Sequence, residues 1–205
     1  TTGWVTGGIN TLERSTEQAL FGSSSLKATY NDTTALAQYA ITLTAVAHSY
    51  SAWVYIPANY NGSQIRLTFV GFTSASGTLN VSANMEIRDE WQRVEVPNVT
   101  PNAGDLVGAV NINDVGTPSP GRSIYIDGVQ VEAKSRCTSY VDGTRGDGCV
   151  WTGTAHASTS TRESLPETLS GLSELITALS WVYEDPAHNA NGGADEFDPD
   201  WDTTL

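Results

Sequence analysis

Residues 50–57 have the sequence YSAWVYIP, which combines β-branched, aromatic and aliphatic residues and ends in proline. β-Branched and aromatic residues fit a pleated sheet, and successive side chains of a strand point to opposite faces. The stretch therefore predicts a strand with Trp53 and Tyr55 on one face and aliphatic residues on the other. Pro57 ends the strand because proline has no N–H to donate to the ladder.

Similar short runs lie on both sides of this strand, and turn residues such as Asn61-Gly62 separate them. About eight strands with few helical periods between them predict an all-β fold, a sandwich or jelly roll, and exclude a βαβ fold. The predicted strands are 25–30, 36–43, 50–56, 64–70, 78–83, 91–96, 106–112 and 123–127.

The character of the chain changes near residue 133. Residues 1–132 predict the jelly-roll domain, and residues 133–164 predict an extended arm rich in Thr, Ser and Gly. Apolar residues at i, i+3, i+7 spacing predict one amphipathic helix over 165–183. Residues 184–205 form an acidic tail with seven acids and no Lys or Arg, for which no structure is predicted.

The charge balance excludes one class of partner. The 205 residues contain 10 Lys and Arg against 23 Asp and Glu, which gives a formal net charge of −13. Such a chain repels phosphate backbones, so no nucleic-acid partner is expected. No apolar run reaches the roughly 18–20 residues that a membrane-spanning helix needs, so no membrane span is expected either.

The two cysteines, Cys137 and Cys149, flank a Gly- and Asp-rich loop. In an oxidising compartment they could form a disulfide that clips this loop, and the alternative is two free thiols. A zinc site is not expected, because no histidine lies at a ligand-like spacing from them.

Five motifs in the first part of the chain carry a resemblance. They follow one another in the order Gly3-Trp4, residues 21–27 (FGSSSLK), 50–55 (YSAWVY), 91–94 (WQRV) and 124–132 (IYIDGVQVE). This series resembles the jelly-roll carbohydrate-binding modules related to the cellulose- and xylan-binding families. In those modules a further strand precedes the Gly-Trp pair. We therefore expect the first strand to be missing here and the chain to be the downstream part of a longer polypeptide.

The resemblance implies a calcium site. Related modules ligate a structural Ca²⁺ with an Asp at the position of Asp127, and the segment holding Gly22, Ser23 and Ser25 supplies further ligands. Calcium takes six to eight oxygen ligands, so other groups would have to converge on Asp127. The alternative is that Asp127 accepts hydrogen bonds from a turn.

The resemblance also implies a sugar-binding surface built on aromatic rings, which suit the C–H face of a pyranose. Tyr39, Tyr60 and Phe72 are expected to be exposed and to contribute to it. Trp53 and Tyr55 are further candidates, with packing in the core as their alternative. Trp91, at the start of a strand, is expected in the core.

Two polar residues complete the candidate set. Gln64 and Arg66 share one strand face and could hydrogen-bond sugar hydroxyls, or could form a solvated face. Glu86, Asp89 and Glu90 lie in a turn, and their spacing does not indicate the paired carboxylates of a glycosidase. A non-enzymatic role is therefore expected.

A second resemblance concerns the region after the sandwich. Residues 138–143 (TSYVDG) and 151–162 (WTGTAHASTSTR) resemble a segment common in minor tail proteins of bacteriophages. The resemblance implies a structural protein on the surface of the virion that faces glycans of the host cell wall. The arm, helix and tail would dock it to other virion proteins, and a homo-oligomer is expected.

Two alternatives stay open from the sequence. The chain could be a cement or decoration protein of the capsid or tail, whose sandwich contacts only other virion proteins. It could also be an accessory carbohydrate-binding module of a secreted glycoside hydrolase. An exposed aromatic platform favours sugar binding, whereas aromatic residues confined to the core or to a protein interface favour the cement role.

Overall fold

A computed structural model describes residues 3–7, 10–31, 36–72, 75–115, 120–145, 148–155 and 160–162. The chain divides into two compact units, Thr1–Val141 and Asp142–Leu205. The predicted helix over 165–183 and the acidic tail over 184–205 lie outside the described residues.

The described part of the first unit consists of strands joined by turns and contains no helix. The strands are β1 (Trp4–Thr6), β2 (Thr11–Ser15), β3 (Ser25–Tyr30), β4 (Leu36–Thr42), β5 (His48–Tyr55), β6 (Ile65–Val70), β7 (Asn80–Ser82), β8 (Trp91–Val99), β9 (Val107–Asp114) and β10 (Arg122–Glu132).

These strands form two five-stranded antiparallel sheets. The first sheet has the order β1-β4-β9-β6-β7, and the second sheet has the order β2-β3-β10-β5-β8. Neighbouring strands are often far apart in sequence, as β10 is from both β3 and β5. The predicted all-β jelly-roll sandwich is confirmed.

The core lies between the inner faces of the sheets. Val54 and Ile56, on one face of the strand predicted around residue 53, are fully buried. Burial of each such side chain contributes about 1.5–3 kcal/mol. Other fully buried apolar side chains come from both sheets and include Ile65, Leu67, Val96, Ile112, Ile124 and Ile126.

One end of the core contains a buried ion pair. Nη2 of Arg122 lies 2.9 Å from Oδ2 of Asp114, and both side chains are almost inaccessible to solvent. The Tyr60 hydroxyl donates a 2.8 Å hydrogen bond to the same carboxylate oxygen. Removing one partner would leave a buried charge uncompensated, so the two charges depend on each other.

The described part of the second unit contains a short antiparallel pair of strands, β11 (Cys149–Trp151) and β12 (Ser160–Arg162). A turn precedes it, in which Oδ1 of Asp142 accepts a 2.8 Å hydrogen bond from the amide of Thr144. Gly143 lies so close to the Trp151 ring that a Cβ atom there would clash with it. The described residues contain no helix that is long and apolar enough to cross a membrane.

Candidate functional site

The outer face of the second sheet carries a continuous row of directly opposed side chains. Strand register places one residue from each of the five strands in line: Glu13, Lys27, Tyr125, Tyr55 and Trp91. Cross-strand partners in a sheet lie close enough to contact each other. Three adjacent strands therefore present aromatic rings side by side, and we call Tyr125, Tyr55 and Trp91 the aromatic row.

The rings of the aromatic row contact one another at an angle. The centroids of Tyr55 and Tyr125 are 5.8 Å apart with planes at 79°, and those of Tyr55 and Trp91 are 5.6 Å apart at 58°. Tyr55 and Trp91 are half-buried, and Tyr125 is 7% exposed. Trp91 was expected in the core. That expectation is wrong, because its register opposite Tyr55 puts it on the outer face.

Carboxylates hold both tyrosine hydroxyls of the row. Tyr125 donates to Oε2 of Glu17, and Tyr55 donates to Oδ1 of Asp89 at 3.4 Å. Burial raises the pKa of both tyrosines, and the adjacent carboxylate raises each pKa further. Both hydroxyls therefore stay protonated at neutral pH and keep their protons directed at the acids.

The β3 end of the row is a compact charged cluster. Nζ of Lys27 lies 3.0 Å from both carboxylate oxygens of Glu17 and 3.8 Å from Glu13. It also lies 5.7 Å from the centroid of the Tyr125 ring. The Tyr125 hydroxyl and then Lys27 lower the pKa of Glu17, and the Glu17 hydrogen bond raises the pKa of Lys27. The pair is therefore ionised around the aromatic row.

Two chain segments cover the rest of this outer face, and we call residues 16–24 and 133–141 the covering segments. The first is fixed by Asp127, whose Oδ2 accepts hydrogen bonds from the amides of Leu20 at 2.9 Å and Phe21 at 3.0 Å. The ring of Phe21 stacks on Tyr140 at 4.4 Å, which joins the two segments. Phe21 also contacts Trp53 edge-on at 6.2 Å. Trp53 therefore lies on the outer face, as Tyr55 does, but beneath a covering segment.

The second covering segment is fixed by side chains of the sheet. Arg93 donates through Nη2 to the carbonyl oxygen of Thr138 and, at 3.0 Å, to Oγ of Ser51. Oε1 of Gln130 accepts a 2.9 Å hydrogen bond from the amide of Val141. Ser51 is only 1% exposed although its side chain lies on the outer face. The face is thus closed around Ser51 and open at the aromatic row.

A cavity of about 590 Å³ lies over the open part. Its size falls in the range of small-molecule binding pockets. The lining consists of Lys27, Tyr55, Tyr125, Gln18, Asp89 and two rim loops, residues 57–61 and 120–123. Aromatic floor and polar walls therefore meet in one concavity.

The residues named for calcium make hydrogen bonds within the protein, and the calcium site stays a prediction. Oδ1 of Asp127 accepts a 2.8 Å hydrogen bond from the amide of Gly128, so this carboxylate receives three backbone N–H groups together with those of Leu20 and Phe21. The Ser25 hydroxyl donates to the carbonyl oxygen of Gln18 at 2.6 Å. The described residues contain no group of three or more His, Cys, Asp or Glu that could hold a metal. Asp127 thus accepts hydrogen bonds from turn amides, Gly22 and Ser23 belong to the first covering segment, and Ser25 begins β3.

The candidate aromatic residues are not brought together. Tyr39 is 39% exposed, as expected, and packs against Trp4 with ring centroids 5.5 Å apart. Tyr60 and Phe72 were expected to be exposed, and this is wrong: they are 4% and 3% exposed. Phe72 is buried because it packs against Phe69 at 6.0 Å, and Tyr60 because its hydroxyl reaches the interior carboxylate of Asp114. Tyr60 nevertheless lines the cavity.

The polar candidates lie elsewhere. Arg66 belongs to β6 and is paired with Ser82 of β7, so it lies on the outer face of the first sheet. Gln64 donates a 2.7 Å hydrogen bond to the Ser82 hydroxyl. The sequence reasoning placed neither Tyr125 nor Lys27 in the site, because only the register of β10 and β3 with β5 places them beside Tyr55.

Both cysteines are free thiols in the structure. Sγ of Cys137 lies 3.6 Å from the carbonyl oxygen of Tyr50 in the first unit, and burial raises the pKa of this thiol. Cys149 begins β11 in the second unit. The disulfide between them is not formed in the structure and stays a prediction.

Comparisons with known proteins identify the class of fold. No protein-family model matches the chain, and no curated protein matches it. Among solved structures it is similar to the CBM22-1 xylan-binding domain of Xyn10C from Paenibacillus barcinonensis, with 14% identity over 65% of this chain and 88% of that one, and a TM-score of 0.51. It is also similar to the C-terminal family 22 carbohydrate-binding module of Clostridium thermocellum Xyn10B, with 14% identity, coverage of 67% and 89%, and a TM-score of 0.51.

At 14% identity these similarities concern the fold alone. The first unit is a jelly-roll sandwich of the kind found in carbohydrate-binding modules. The resemblance of the sequence to such modules is confirmed to that extent. What the chain binds has to be argued from its own residues.

Proposed function

We propose that the open part of the outer face of the second sheet binds glycans and that the protein is a non-enzymatic recognition module. Tyr55 and Tyr125 of the aromatic row line the cavity, and they carry the proposal. Pyranose rings present C–H groups that pack on aromatic faces, and rings on three adjacent strands suit successive sugars of a chain. The hydrogen-bonding groups of Lys27, Glu17 and Asp89 border the row and suit the sugar hydroxyls.

Two further observations support this proposal. Directed polar groups around a concave apolar floor are typical of small-ligand sites. The solved structures of similar fold are described by their names as a xylan-binding domain and a carbohydrate-binding module. The sequence identity to both structures is 14%, so the sugars that they bind are not carried over to this chain. The residues of its own cavity determine which sugar it binds.

Titration calorimetry with soluble β-1,4-linked oligosaccharides of glucose, xylose and N-acetylglucosamine tests the proposal. Truncating Tyr55 to alanine should weaken binding about tenfold or more, because its ring lines the cavity. Tyr39→Ala is the matched control, since Tyr39 is an exposed aromatic residue outside the cavity. Equal loss in the two variants, or no binding to any glycan, would contradict the assignment.

We further propose that the module belongs to a bacteriophage virion, where it would face host cell-wall glycans. The support is the resemblance of residues 138–143 and 151–162 to a segment of minor tail proteins. In that setting the protein would assemble with other virion proteins, and a homo-oligomer is expected. Antibody labelling of purified particles, read by electron microscopy, tests this setting, and particles that lack the protein would refute it.

A second candidate is an accessory module of a secreted glycoside hydrolase. The names of the similar structures favour it, since both modules belong to proteins called Xyn10B or Xyn10C. The full-length polypeptide separates the two settings, because a catalytic domain in the same chain would establish the enzyme-linked one. The cement role would require that the aromatic row contacts only protein, and measurable glycan binding would exclude it.

A further inference from the structure

The charges around the cavity are unevenly compensated. The two cations that line it are paired, Lys27 with Glu17 and Arg122 with Asp114. Asp89 also lines the cavity and has no ion pair among the described residues. Arg88, its neighbour in the chain, packs against the Tyr60 ring at 5.9 Å and is not part of the lining. The uncompensated charge on the cavity wall is therefore a carboxylate.

Asp89 is fixed at the aromatic row. Its Oδ1 accepts a 2.9 Å hydrogen bond from the amide of Ala58 in a rim loop and the 3.4 Å hydrogen bond from Tyr55. Its own amide donates to the carbonyl oxygen of Ile56 at 3.0 Å. The backbone has φ 56°, in the left-handed region that Asp and Asn tolerate better than other non-glycine residues. Tyr55 and Ala58 thus hold this carboxylate at the aromatic row.

A carboxylate beside aromatic faces attracts a particular kind of ligand group. Aromatic faces attract cations, and an adjacent carboxylate adds a direct ionic partner. A ligand carboxylate at the same place would meet like charge from Asp89 and the field of a chain with net charge −13. The cavity therefore suits a positively charged group on a pyranose and disfavours uronic acids.

We propose that this cavity selects amino sugars with a free, protonated amine over the N-acetylated form of the same sugar, with Asp89 as the specificity-determining residue. The inference rests on the proposed glycan-binding function. In this arrangement the amine lies between Asp89 and the face of Tyr55, both of which line the cavity. The end of the row occupied by Lys27 takes the uncharged part of the chain, because Lys27 and Glu17 already compensate each other there.

Three hexasaccharides with the same β-1,4 linkage and different groups at carbon 2 test the proposal: glucosamine, N-acetylglucosamine and glucose. At about pH 6, where the primary amine is charged, the glucosamine oligomer should bind about tenfold more tightly than the other two. Added salt should reduce this preference, since the carboxylate is exposed to solvent.

The matched variants are Asp89→Asn and Glu86→Gln. Asparagine keeps the oxygen acceptor and tolerates the left-handed backbone, so Asp89→Asn removes mainly the charge. Glu86→Gln makes the same change in net charge at an exposed position of the same turn, away from the cavity. The preference for glucosamine should disappear in Asp89→Asn and persist in Glu86→Gln.

The outcomes separate this inference from the proposed function. Binding of glucose or N-acetylglucosamine oligomers without a preference for glucosamine overturns the inference and leaves the glycan-binding function intact. A preference that survives in Asp89→Asn also overturns the role of Asp89. Absence of binding to all three oligomers overturns both proposals for these sugars. If Asp89→Asn does not fold, the wild-type preference and its loss in salt decide the question.

Discussion

The two outer faces of the sandwich have the same geometry and different chemistry. Each presents a row of opposed side chains across five antiparallel strands. The row on the first sheet is Val5, Gln38, Asn111, Thr68 and Asn80. The row on the second sheet is Glu13, Lys27, Tyr125, Tyr55 and Trp91. Strand pairing alone therefore does not make a binding face, and the difference lies in which side chains the register aligns.

The faces also differ in what lies over them. On the second sheet the covering segments close the region around Ser51 and Trp53 and leave the aromatic row beside a cavity. Amide and hydroxyl side chains dominate the row of the first sheet, and this row contains no aromatic residue. The second sheet exposes part of an aromatic row with charged side chains at its border, and the first sheet has no such row. Apolar surface with a polar rim is typical of interaction sites, so this contrast supports a recognition role for the second sheet.

The largest expected effect is on ligand binding. Tyr55→Ala removes the central ring of the aromatic row and the hydroxyl bound to Asp89, so glycan affinity should fall by about 10-fold to 100-fold. Thr68→Ala, at the corresponding position of the first sheet, should leave the affinity unchanged. Calorimetry on both variants makes the comparison. A loss of glycan affinity in Thr68→Ala would mean that the outer face of the first sheet takes part in binding.

A smaller effect concerns the covering segments. Asp127→Ala removes the acceptor of three backbone amides and should lower the free energy of unfolding by about 1–3 kcal/mol. Asn80→Ala, on the exposed outer face of the first sheet, should stay within about 0.5 kcal/mol. Urea denaturation measures both. Since Asp127 already receives three N–H groups, calcium should not raise the melting temperature. A clear increase in melting temperature with calcium would support the predicted calcium site.

The smallest effect is a change in pH dependence. The Tyr125 hydroxyl, followed by Lys27, lowers the pKa of Glu17 below its ordinary value of 4.5. A lowered carboxyl pKa contributes stability that is present above the ordinary value and is lost as the pH falls through the folded-state pKa. Tyr125→Phe removes the largest cause, so its stability should decline less steeply than that of the wild type below about pH 4.5. Thermal melts across this range measure the slopes, and parallel curves would contradict the assigned hydrogen bond.

Much of the sandwich was predictable from local patterns. The alternation at residues 50–56 correctly predicts a strand with Trp53 and Tyr55 on one face and Val54 on the other, because alternation along a strand is a local property. The alternatives for Trp53 and Tyr55 could not be separated in the same way, since both faces of the strand carry apolar residues. The exposure of Phe72 was predicted incorrectly because its position after β6 says nothing about Phe69 packing against it.

The candidate site was predictable only in part. Tyr55 was among the candidates, but its neighbours Tyr125, Trp91 and Lys27 come from other strands. Lys27 on β3 and Tyr125 on β10 are paired although they lie 98 residues apart in sequence. No local pattern indicates that β10 inserts between β3 and β5. Asp89 was considered only as a solvated turn residue, because the hydrogen bonds that fix it to Tyr55 and Ala58 are tertiary contacts.

Residue types and their spacing determine by themselves that this chain forms short strands, buries one face of each and carries an excess of negative charge, because these properties depend on neighbours within a few positions. The tertiary structure alone decides which rings share a face, which carboxylates reach them and where the face stays open. Those outcomes depend on strand order and register, through which residues distant in the chain become neighbours across about 5 Å.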